Sequence, residues 1–514
     1  MPVKVARIRS RLRSIWSAGV VGLGPTAAVV AALFVLLVPL AARAETLRPL
    51  PALLHVHSAL STGDLPLDRL LQEARSQGLE AVLLTENYLL RVEYGLWPFR
   101  AATRFTREEP SVLSRGVETY LARVADARRQ FPDLVIVPGV EVIPHYHWTG
   151  HPLTGDLTNH NLQKNLLVFG ISEPAALERL PSTGNPHLGR YTLRSLVEIL
   201  PGLLVLAGLW LILVPRRRLR LLGALTIVER QRRWLLGTPL VVLGVVALVR
   251  AFPFTEDPWS PYRSDADLAA HQALIDEVEA RGGVTVWSFP EARDSSESGF
   301  LGLTVRLRTE PYPDDLVRTF RYTAFGGLYE ETTRFVTPGG MWDYVLGKYL
   351  SGERTRAPWA VGESGFHGFV GGKRFGGIQT VFLVPEKSEA ALLQSLRAGR
   401  LYALSRTPAF ALSLRQFAVR QGDQEAGSGE TLPARASEPL EIRVGVEASD
   451  GGEYPIRALL VRNGQVVQLW MGKTPLRVVH REPAGAGPAY YRLEVRGPGP
   501  HQILSNPIFV KPRP

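Results

Sequence analysis

The sequence predicts an α/β protein that is interrupted by two membrane-spanning helices and ends in an all-β region. Three observations lead to this fold class. Strands and amphipathic helices alternate within residues 45–405, two long apolar segments break that alternation, and short strands separated by turn residues follow residue 406. A chain of 514 residues can hold two or three domains with cores of their own. It has no cysteine, which excludes disulfides and zinc–thiolate sites.

Residues 1–44 combine an arginine-rich start with an uncharged apolar segment, residues 15–42. The end of this region, Ala42-Arg43-Ala44, resembles a signal-peptidase site, although the apolar segment is long for a signal peptide. Residues 1–44 are therefore predicted to be either a signal peptide or an N-terminal membrane anchor. Both alternatives export the rest of the chain.

The first α/β unit carries two closely spaced histidines. His55 and His57 close a short apolar run, and alternate residues of a strand point to the same side, so both imidazoles can face one metal ion. Asp64 is positioned to cap a helix with the apolar stripe Leu67, Leu70, Leu71 and Ala74, which Gly78 ends. The next strand, residues 81–84, leads into Thr85-Glu86-Asn87. Polar residues at the ends of successive strands are typical of the reaction site of an α/β barrel.

Two further apolar segments, residues 197–214 and 234–249, predict a transmembrane hairpin over residues 196–254. Glu198 is the single charged residue within them, and Arg250 follows the second segment. The connecting loop, residues 215–233, contains seven arginines and one glutamate. A buried helical hairpin of a soluble domain is the alternative, but so many arginines beside the hairpin are hard to place in a soluble core.

The formal charge of +11 is concentrated next to these apolar segments. Residues 1–44 carry six basic residues and no acid, the loop at 215–233 is strongly basic, and the rest of the chain is close to neutral. A basic face for nucleic acid is therefore not expected. The positive-inside rule places both basic regions in the cytoplasm. Residues 45–195 and 253–514 are then expected on the external or periplasmic side of the cell (inner) membrane.

Amphipathic helices and strands resume after the hairpin. Gly282-Gly283 ends a helix that starts near Asp265, and further elements are expected as a strand at 284–287, a helix at 341–350, a strand at 359–361, a helix at 389–397 and a strand at 400–404. From residue 406 the pattern changes to alternating strands, and Asn463-Gly464 is a strong hairpin-turn signal. Residues 406–514 are therefore predicted to form a β-sandwich domain.

Five short motifs, in order along residues 53–402, resemble those of the PHP (polymerase and histidinol phosphatase) superfamily of metal-dependent phosphoesterases. They are His55-Val56-His57, Thr85-Glu86-Asn87, Pro138-Gly139-Val140-Glu141, a strand from Gly282-Gly283 to Phe289-Pro290, and Gly365-Phe366-His367-Gly368. The resemblance implies a distorted (β/α)7 barrel with metals bound at strand ends. Residues 45–195 and 255–405 would be the two parts of that barrel, separated by the hairpin.

The resemblance also assigns site residues. His55, His57 and Glu141 correspond to metal ligands, and His367 and Glu86 are the expected catalytic residues. Glu86 stands where the family has the shorter aspartate. Four other positions depart from the family pattern: Asn87, Asn165 and Phe289 stand where histidine is expected, and Gly365 stands where aspartate is expected. These losses favour one divalent ion (Zn, Mn or Fe) over two or three, and a site without any metal is the alternative. Loop histidines at 145, 147, 151 and 160 are candidates to compensate, with solvent exposure as the alternative.

Two functions are consistent with these observations. The first is an exported, membrane-anchored hydrolase of a phosphoester or related ester, in which one metal on His55, His57 and Glu141 activates water and His367 assists the leaving group. The second is a catalytically inactive PHP-like protein that binds a ligand or a partner through its β region. The lipid bilayer and a small anionic or ester substrate are the expected partners, and the sequence identifies no protein partner.

Two other patterns indicate weaker alternatives. Gly362-Glu363-Ser364-Gly365-Phe366 lacks the final glycine of a serine-hydrolase nucleophile elbow. Residues 371–377 are glycine-rich and basic but do not form a Walker A motif, so they fit either an anion-binding loop near His367 or an ordinary turn.

Overall fold

The computed structural model describes residues 46–513, apart from residues 224, 301–302, 331–332 and 371–372. Residues 1–44, the expected signal peptide or anchor, lie outside the described residues. The mixed α/β class is confirmed for the described part. Before the hairpin the strands are β1 (Arg48–Val56), β2 (Ala81–Leu84), β3 (Glu86–Asn87), β4 (Leu90–Tyr94), β5 (Phe105–Glu109), β6 (Val135–Val137), β7 (Gly139–Val142), β8 (His147–Thr149), β9 (Leu157–His160) and β10 (Leu166–Phe169). The helices of this part are α1 (Leu67–Ser76), α2 (Val112–Arg115), α3 (Val117–Gln130) and α4 (Pro174–Leu177).

The hairpin is followed by a second α/β part and then by a region of strands. The hairpin contains α5 (Gly202–Leu213), β11 (Arg216–Leu222), β12 (Leu225–Gln231) and α6 (Trp234–Ala251). After it come α7 (Asp267–Ala280), β13 (Val284–Trp287), β14 (Asp294–Phe300), β15 (Leu303–Thr309), α8 (Pro313–Arg318), β16 (Ala324–Leu328), α9 (Met341–Leu350), β17 (Trp359–Gly362), β18 (Ile378–Val384), α10 (Glu389–Ala398) and β19 (Leu401–Ser405). The final region contains β20 (Leu412–Gln421), β21 (Gln424–Gly427), β22 (Thr431–Ala434), β23 (Pro439–Ala448), β24 (Pro455–Arg462), β25 (Gln465–Lys473), β26 (Leu476–Pro483), β27 (Ala489–Arg496), β28 (Gln502–Ser505) and β29 (Ile508–Pro512).

Helix α1 shows how the sequence pattern produces the first unit. The predicted apolar stripe is buried, and Gly78 takes the left-handed conformation (φ 72°) that a tight helix end favours. The predicted cap is wrong, because Pro66 is the N-cap residue and no side chain caps the helix. Asp64 is used elsewhere: its backbone amide donates to the carbonyl of His367 at 2.6 Å. This contact joins the loop after the two histidines to the last motif.

The strands around the site form two sheets. One contains the order β19–β18–β1–β2–β6, with β1 parallel to β2 and antiparallel to β18. The other has the order β17–β16–β13–β10–β7–β3. Two chain segments, residues 81–87 and 135–142, contribute strands to both sheets in succession. In the described residues the pairing does not form the closed barrel that was expected; one parallel bridge, Val56 with Phe366, links the end of β1 to the segment after β17.

The predicted helical hairpin is present, with a different loop. Residues Arg194–Leu213 and Trp234–Ala251 are long and apolar enough to cross a membrane by length and composition. The arginine-rich connection is an antiparallel β-ribbon, β11 with β12, instead of an irregular loop. The helices approach closely at Gly208 and Gly237: a Cβ added to either would lie 2.6 Å from the other's carbonyl oxygen. Such contacts between small residues are typical of helix pairs in membranes.

The C-terminal region is all-β, as predicted. Strands β21–β20–β23–β26 form one sheet, and an apolar core separates it from the sheet that contains β24, β27 and β28. The second sheet continues through the pairing of β28 with β19 into β18 and β1, so it is shared with the first region. Asn463 and Gly464 both have positive φ angles, 48° and 82°, which confirms the predicted tight turn between β24 and β25. A separate sandwich domain at 406–514 stays a prediction.

Candidate metal centre

His55 and His57 lie at the end of β1, and their rings converge by an irregular path. His55 has a left-handed backbone conformation (φ 67°), and the pairing of β1 with β2 shifts register between Leu54 and Val56. The bulge redirects the side chain, as bulges near reaction sites often do. The Nε2 atoms of the two imidazoles lie 3.1 Å apart, and both side chains are buried. Convergence is as predicted, but simple strand alternation is not its cause.

Glu141 on β7 completes a group of three. Its Oε1 lies 3.3 Å from His55 Nε2, and its Oε2 lies 3.4 Å from His57 Nε2. Ligand atoms from all three residues lie within 4.8 Å of one another, the one such group of three or more potential ligands among the described residues. Asn165, the residue directly before β10, donates from Nδ2 to Glu141 Oε1 at 2.8 Å. The resemblance leads one to expect a histidine at position 165. The asparagine found there orients the carboxylate of Glu141 through this hydrogen bond.

Glu363, directly after β17, holds His55 from the opposite side of its ring. Its Oε1 lies 2.6 Å from His55 Nδ1, and the side chain is fully buried. The carboxylate also accepts hydrogen bonds from Ser288 Oγ and, at 3.0 Å, from the amide of Phe289. A carboxylate on Nδ1 places the ring proton there and directs the Nε2 lone pair toward Glu141 and His57.

The electrostatics of the group show how strongly it attracts a cation. Burial by itself lowers the pKa of His55, but the carboxylates of Glu141 and Glu363 outweigh this effect and raise it to about 9. Burial by itself raises the pKa of Glu141, yet the neighbouring imidazoles hold that pKa well below its usual range. Burial lowers the pKa of His57 well below its ordinary value. In the metal-free protein, a proton on His55 supplies the positive charge.

The donor set fits one divalent ion. In a tetrahedral site with bonds of about 2.0–2.2 Å, neighbouring ligand atoms are separated by about 3.3–3.6 Å. The three distances between the Nε2 atoms and the carboxylate oxygens, 3.1, 3.3 and 3.4 Å, are close to this spacing. His57 Nδ1 is buried and has no hydrogen-bond partner among the described residues. Two nitrogens and a carboxylate without cysteine suit Zn, Mn or Fe.

Phe289 and Gly365 fill the space next to this group together. The Phe289 ring stacks on His55, with centroids 5.1 Å apart. A Cβ on Gly365 would lie 2.5 Å from Phe289 Cζ, and the φ angle of Gly365 (55°) also favours glycine. The phenylalanine therefore requires a residue without a side chain at 365. Phe289 and Gly365, the two positions that depart from the motifs described above, are therefore structurally coupled.

Glu86 lies beside the group of three and has hydroxyl partners. Its carboxylate accepts from the amide of Ser58 at 3.0 Å and from the hydroxyls of Ser58 and Ser61. Burial raises its pKa to about 7. Asn87 donates to Thr62 Oγ1 at 2.7 Å. The second motif is thus held by hydroxyl groups of the loop after β1, and the structure does not bring Glu86 into contact with the three ligands.

His367 covers His57 on the outer side. The two rings stack with centroids 3.9 Å apart and an interplanar angle of 10°, and His367 itself is solvent-exposed. Thr62 Oγ1 lies 3.0 Å from His367 Nδ1 and fixes the ring orientation. The residue is therefore placed at the boundary between the buried ligands and solvent, where a proton can be exchanged.

Lys373, in the glycine-rich segment, extends over the same region. Its Nζ donates to the carbonyl of Gly365 at 2.9 Å and lies 5.6 Å from the centroid of the Phe289 ring. Among the described residues, Nζ makes no ion pair with a carboxylate, and its charge acts on the nearby His57. The ammonium group thus lies directly beside Gly365 and Phe289.

The loop histidines do not lie with the three potential ligands, so the prediction that they could compensate is wrong for the described structure. His147 and His160 are a cross-strand pair of β8 and β9, with ring centroids 4.9 Å apart. The ring of His145 contacts Thr183 Oγ1 and the carbonyl of Arg263. These residues belong to or adjoin a separate sheet, β14–β15–β9–β8, and His151 lies in the exposed turn after β8. None joins the group formed by His55, His57 and Glu141.

Sequence reasoning missed the roles of Glu363 and Lys373. Glu363 belongs to the pattern that resembles a nucleophile elbow, and the signal that it offers is a carboxylate directly after a buried strand and two residues before Gly365. Lys373 belongs to the glycine-rich segment, which fits an ordinary turn equally well. Their roles depend on contacts with residues far away in sequence, which spacing alone does not show.

No family model matches the chain, and no curated protein does. Similar solved structures include a two-domain Bacteroides vulgatus protein containing a predicted PHP-like metal-dependent phosphoesterase, at 12% identity, covering 87% of this chain and 91% of that one, with a TM-score of 0.36. A candidate metal-dependent phosphoesterase from Bifidobacterium adolescentis is 14% identical, with coverage of 63% and 90% and a TM-score of 0.27. A Chromobacterium violaceum amidohydrolase with bound sulfate and no metal is 15% identical, with coverage of 68% and 96% and a TM-score of 0.28. Two of the three are of the type that the motifs resemble, and the function of this chain is inferred from the geometry of its own site.

Proposed function

We propose that this chain is a membrane-anchored, PHP-like, metal-dependent hydrolase of a phosphoester or related ester, with a single metal held by His55, His57 and Glu141. One observation carries the proposal. The Nε2 atoms of both histidines and the carboxylate of Glu141 converge at 3.1–3.4 Å, while the opposite nitrogen of His55 is bound to Glu363. A cluster of nitrogen and carboxylate donors at these distances needs a positive charge between them, which a divalent ion supplies in the proposed enzyme.

Each residue has a role that its position suggests. A bound divalent cation supplies a Lewis acid and lowers the pKa of a water molecule. Glu363 and Asn165 hold His55 and Glu141 in orientation through their hydrogen bonds. His367, exposed and stacked on His57, is positioned to hydrogen-bond to the leaving group through its neutral imidazole, because burial and nearby positive charge lower its pKa to about 4. Glu86, which was expected to be catalytic, is proposed to hold the loop after His57 in place through Ser58 and Ser61.

An anionic substrate suits the positive charge beside the group. Lys373 has no carboxylate partner among the described residues and lies beside the ligands, so its charge is available to bind a phosphoryl oxygen. Phe289 closes the adjacent space, which supports a reduced site with one metal. The Lys373 ammonium group then supplies part of the positive charge that a second metal provides in a two-metal site.

The alternative is a catalytically inactive PHP-like protein that binds a ligand or partner at the membrane. Asn87, Phe289 and Gly365, each in place of a metal-binding residue, favour this second candidate. Both candidates share the location: the two apolar helices and the arginine-rich ribbon support a hairpin in the cell membrane, with the site on the external side.

Metal analysis of the full chain, purified in detergent, tests the proposal. We expect about one equivalent of divalent metal in the native protein and its loss in His55→Ala/His57→Ala, whereas His147→Ala/His160→Ala, outside the group, keeps the metal. Hydrolysis of a chromogenic phosphate ester should require the metal and fall in Lys373→Met through a higher KM. A protein without stoichiometric metal would refute the hydrolase, and a loaded protein inactive on phosphate and carboxylate esters would support the second candidate.

A further inference from the structure

An exposed apolar surface surrounds the outer ends of the two long helices. Trp97 is 79% exposed, Leu193 87% and Phe252 70%. They come from three segments: the loop between β4 and β5, the chain entering the first helix, and the residue that ends α6. Soluble proteins seldom expose such residues together, and an apolar cluster of this kind marks an interaction surface.

The β4–β5 loop, residues 95–104, is fixed against the helix ends. Arg250, in the last turn of α6, donates from Nη2 to the carbonyl of Arg104. Residues of the loop and of both helix ends line one cavity of about 560 Å³, including Arg100, Arg194 and Pro253. The chains that enter and leave the hairpin are themselves bridged, Arg190 with Glu256. The loop and the hairpin therefore present one continuous surface.

The ribbon that carries the loop is also attached to the folded body. Glu93 on β4 donates its amide to Tyr146 Oη at 3.0 Å and accepts from Trp148 Nε1 at 2.9 Å. The amide of Gly95 donates to Tyr262 Oη at 2.6 Å. The loop position is thus set from both sides, with Trp97 directed outward.

Charge accompanies the apolar residues in the arrangement that a lipid interface favours. The guanidinium of Arg100 stacks 3.8 Å from the centroid of the Tyr262 ring, and Arg104 and Arg250 lie next to each other. Tryptophan and tyrosine at the headgroup level, with arginine beside them, are typical of the membrane–water interface. Continuity with the proposed spanning helices identifies the partner as the bilayer.

We infer that the β4–β5 loop is a third membrane contact, in which Leu96 and Trp97 insert into the outer headgroup region while Arg100 and the exposed Arg250 face lipid phosphates. This inference rests on the proposed membrane insertion of the hairpin. The loop fixes how the external region is oriented on the bilayer, because two helices alone allow it to tilt.

The absence of cysteine permits a direct test with the full chain in vesicles of phosphatidylcholine and phosphatidylglycerol. Single cysteines are introduced as Leu96→Cys, which keeps Trp97, as Leu243→Cys in the middle of α6, and as Asp423→Cys in an exposed turn of the β region. Each carries a nitroxide, whose accessibility to oxygen and to a water-soluble nickel complex is compared. We expect the label at 96 to resemble an interfacial position, with more oxygen and less nickel than the label at 423. Adding Trp97→Ser should make the label at 96 accessible to nickel. Met471→Ser is the control, because Met471 is as exposed as Trp97, and it should leave the label at 96 unchanged.

The outcomes separate the two proposals. A label at 96 as accessible to nickel as that at 423, with the label at 243 protected, overturns the loop contact and leaves the hairpin in the membrane. Protection at 96 that Trp97→Ser does not change overturns the role of Trp97. Nickel accessibility at 243 overturns the membrane anchor, and the loop contact with it.

Discussion

His55 combines an unfavourable backbone conformation with the most connected side chain of the site. A left-handed non-glycine residue costs about 1–3 kcal/mol and persists where surrounding structure imposes it. Glu363 on one side of the ring and Glu141 on the other provide that constraint. The sequence could predict His55, His57 and Glu141 because the motifs preserve their spacing. It could not predict Glu363, whose partner is about 300 residues away in the chain.

Glu363→Gln should weaken metal binding without unfolding the protein. The amide can still contact Nδ1, but it does not stabilise the ring polarity that makes Nε2 a good donor, so we expect affinity to fall about 10–100-fold. Titration of the metal-free protein by calorimetry measures this change. Glu425→Gln, in an exposed strand, is the matched control. Unchanged affinity in Glu363→Gln would show that Glu363 does not position His55.

Glu86 should make the metal-free protein less stable as the pH rises. Burial raises its folded-state pKa to about 7 from an ordinary value of 4.5, so the folded state keeps a proton that the unfolded state has lost. The stabilising proton is fully present below the unfolded pKa and lost as the pH rises through the folded one. As the pH rises between these two pKa values, the free energy of unfolding should fall by about 3 kcal/mol because of Glu86.

Denaturant unfolding of Glu86→Gln across the same pH range isolates this contribution, since the amide does not titrate. The difference in unfolding free energy between variant and native protein should grow in favour of the variant from about pH 4.5 to about pH 7. Parallel curves for the two proteins would contradict the assignment, and Glu425→Gln again serves as the control.

At the scale of elements, periodic patterns were reliable and paired ribbons were not. Helix α9 and strand β13 were predicted at the bounds that the structure has, because their apolar residues face one core. The ribbons β4–β5, β11–β12 and β14–β15 were missed. Strand β5 reads Phe-Thr-Arg-Glu-Glu and is mostly exposed, so its strand conformation comes from its partner and not from apolar alternation.

The glycine contact between α5 and α6 should be sensitive to added volume. Gly237→Val places a side chain against the Gly208 carbonyl and Ile212, which the packed helices can accommodate only by separating. We expect a loss of about 1–3 kcal/mol in stability, read as a lower unfolding temperature in detergent. Leu235→Ala, on the exposed face of the same helix, should have little effect. Equal effects of both substitutions would argue against close packing at Gly237.

At the scale of the whole molecule, the arginines and the apolar helices predict one topology. A cysteine at Arg218, in the β11–β12 ribbon, should be protected in intact cells from a membrane-impermeant maleimide and labelled after lysis. With the substitution Asp423→Cys, the same maleimide should label the protein once the outer envelope is permeabilised, before the cells are lysed. The reverse pattern would place the candidate metal centre in the cytoplasm and contradict the proposed location.

The insertion of the hairpin between two paired strands constrains how the protein folds. Strands β10 and β13 are direct antiparallel neighbours, yet the entire helix–ribbon–helix insertion lies between them in the chain. If that insertion enters a bilayer during synthesis, the part of the chain before it is exported first. Its strand edges then stay unpaired until the part after the insertion is exported as well. Both β1, which pairs with β18, and His55, which needs Glu363, are incomplete during this interval. A chaperone or protease on the external side would therefore encounter an incompletely paired sheet in every newly made chain.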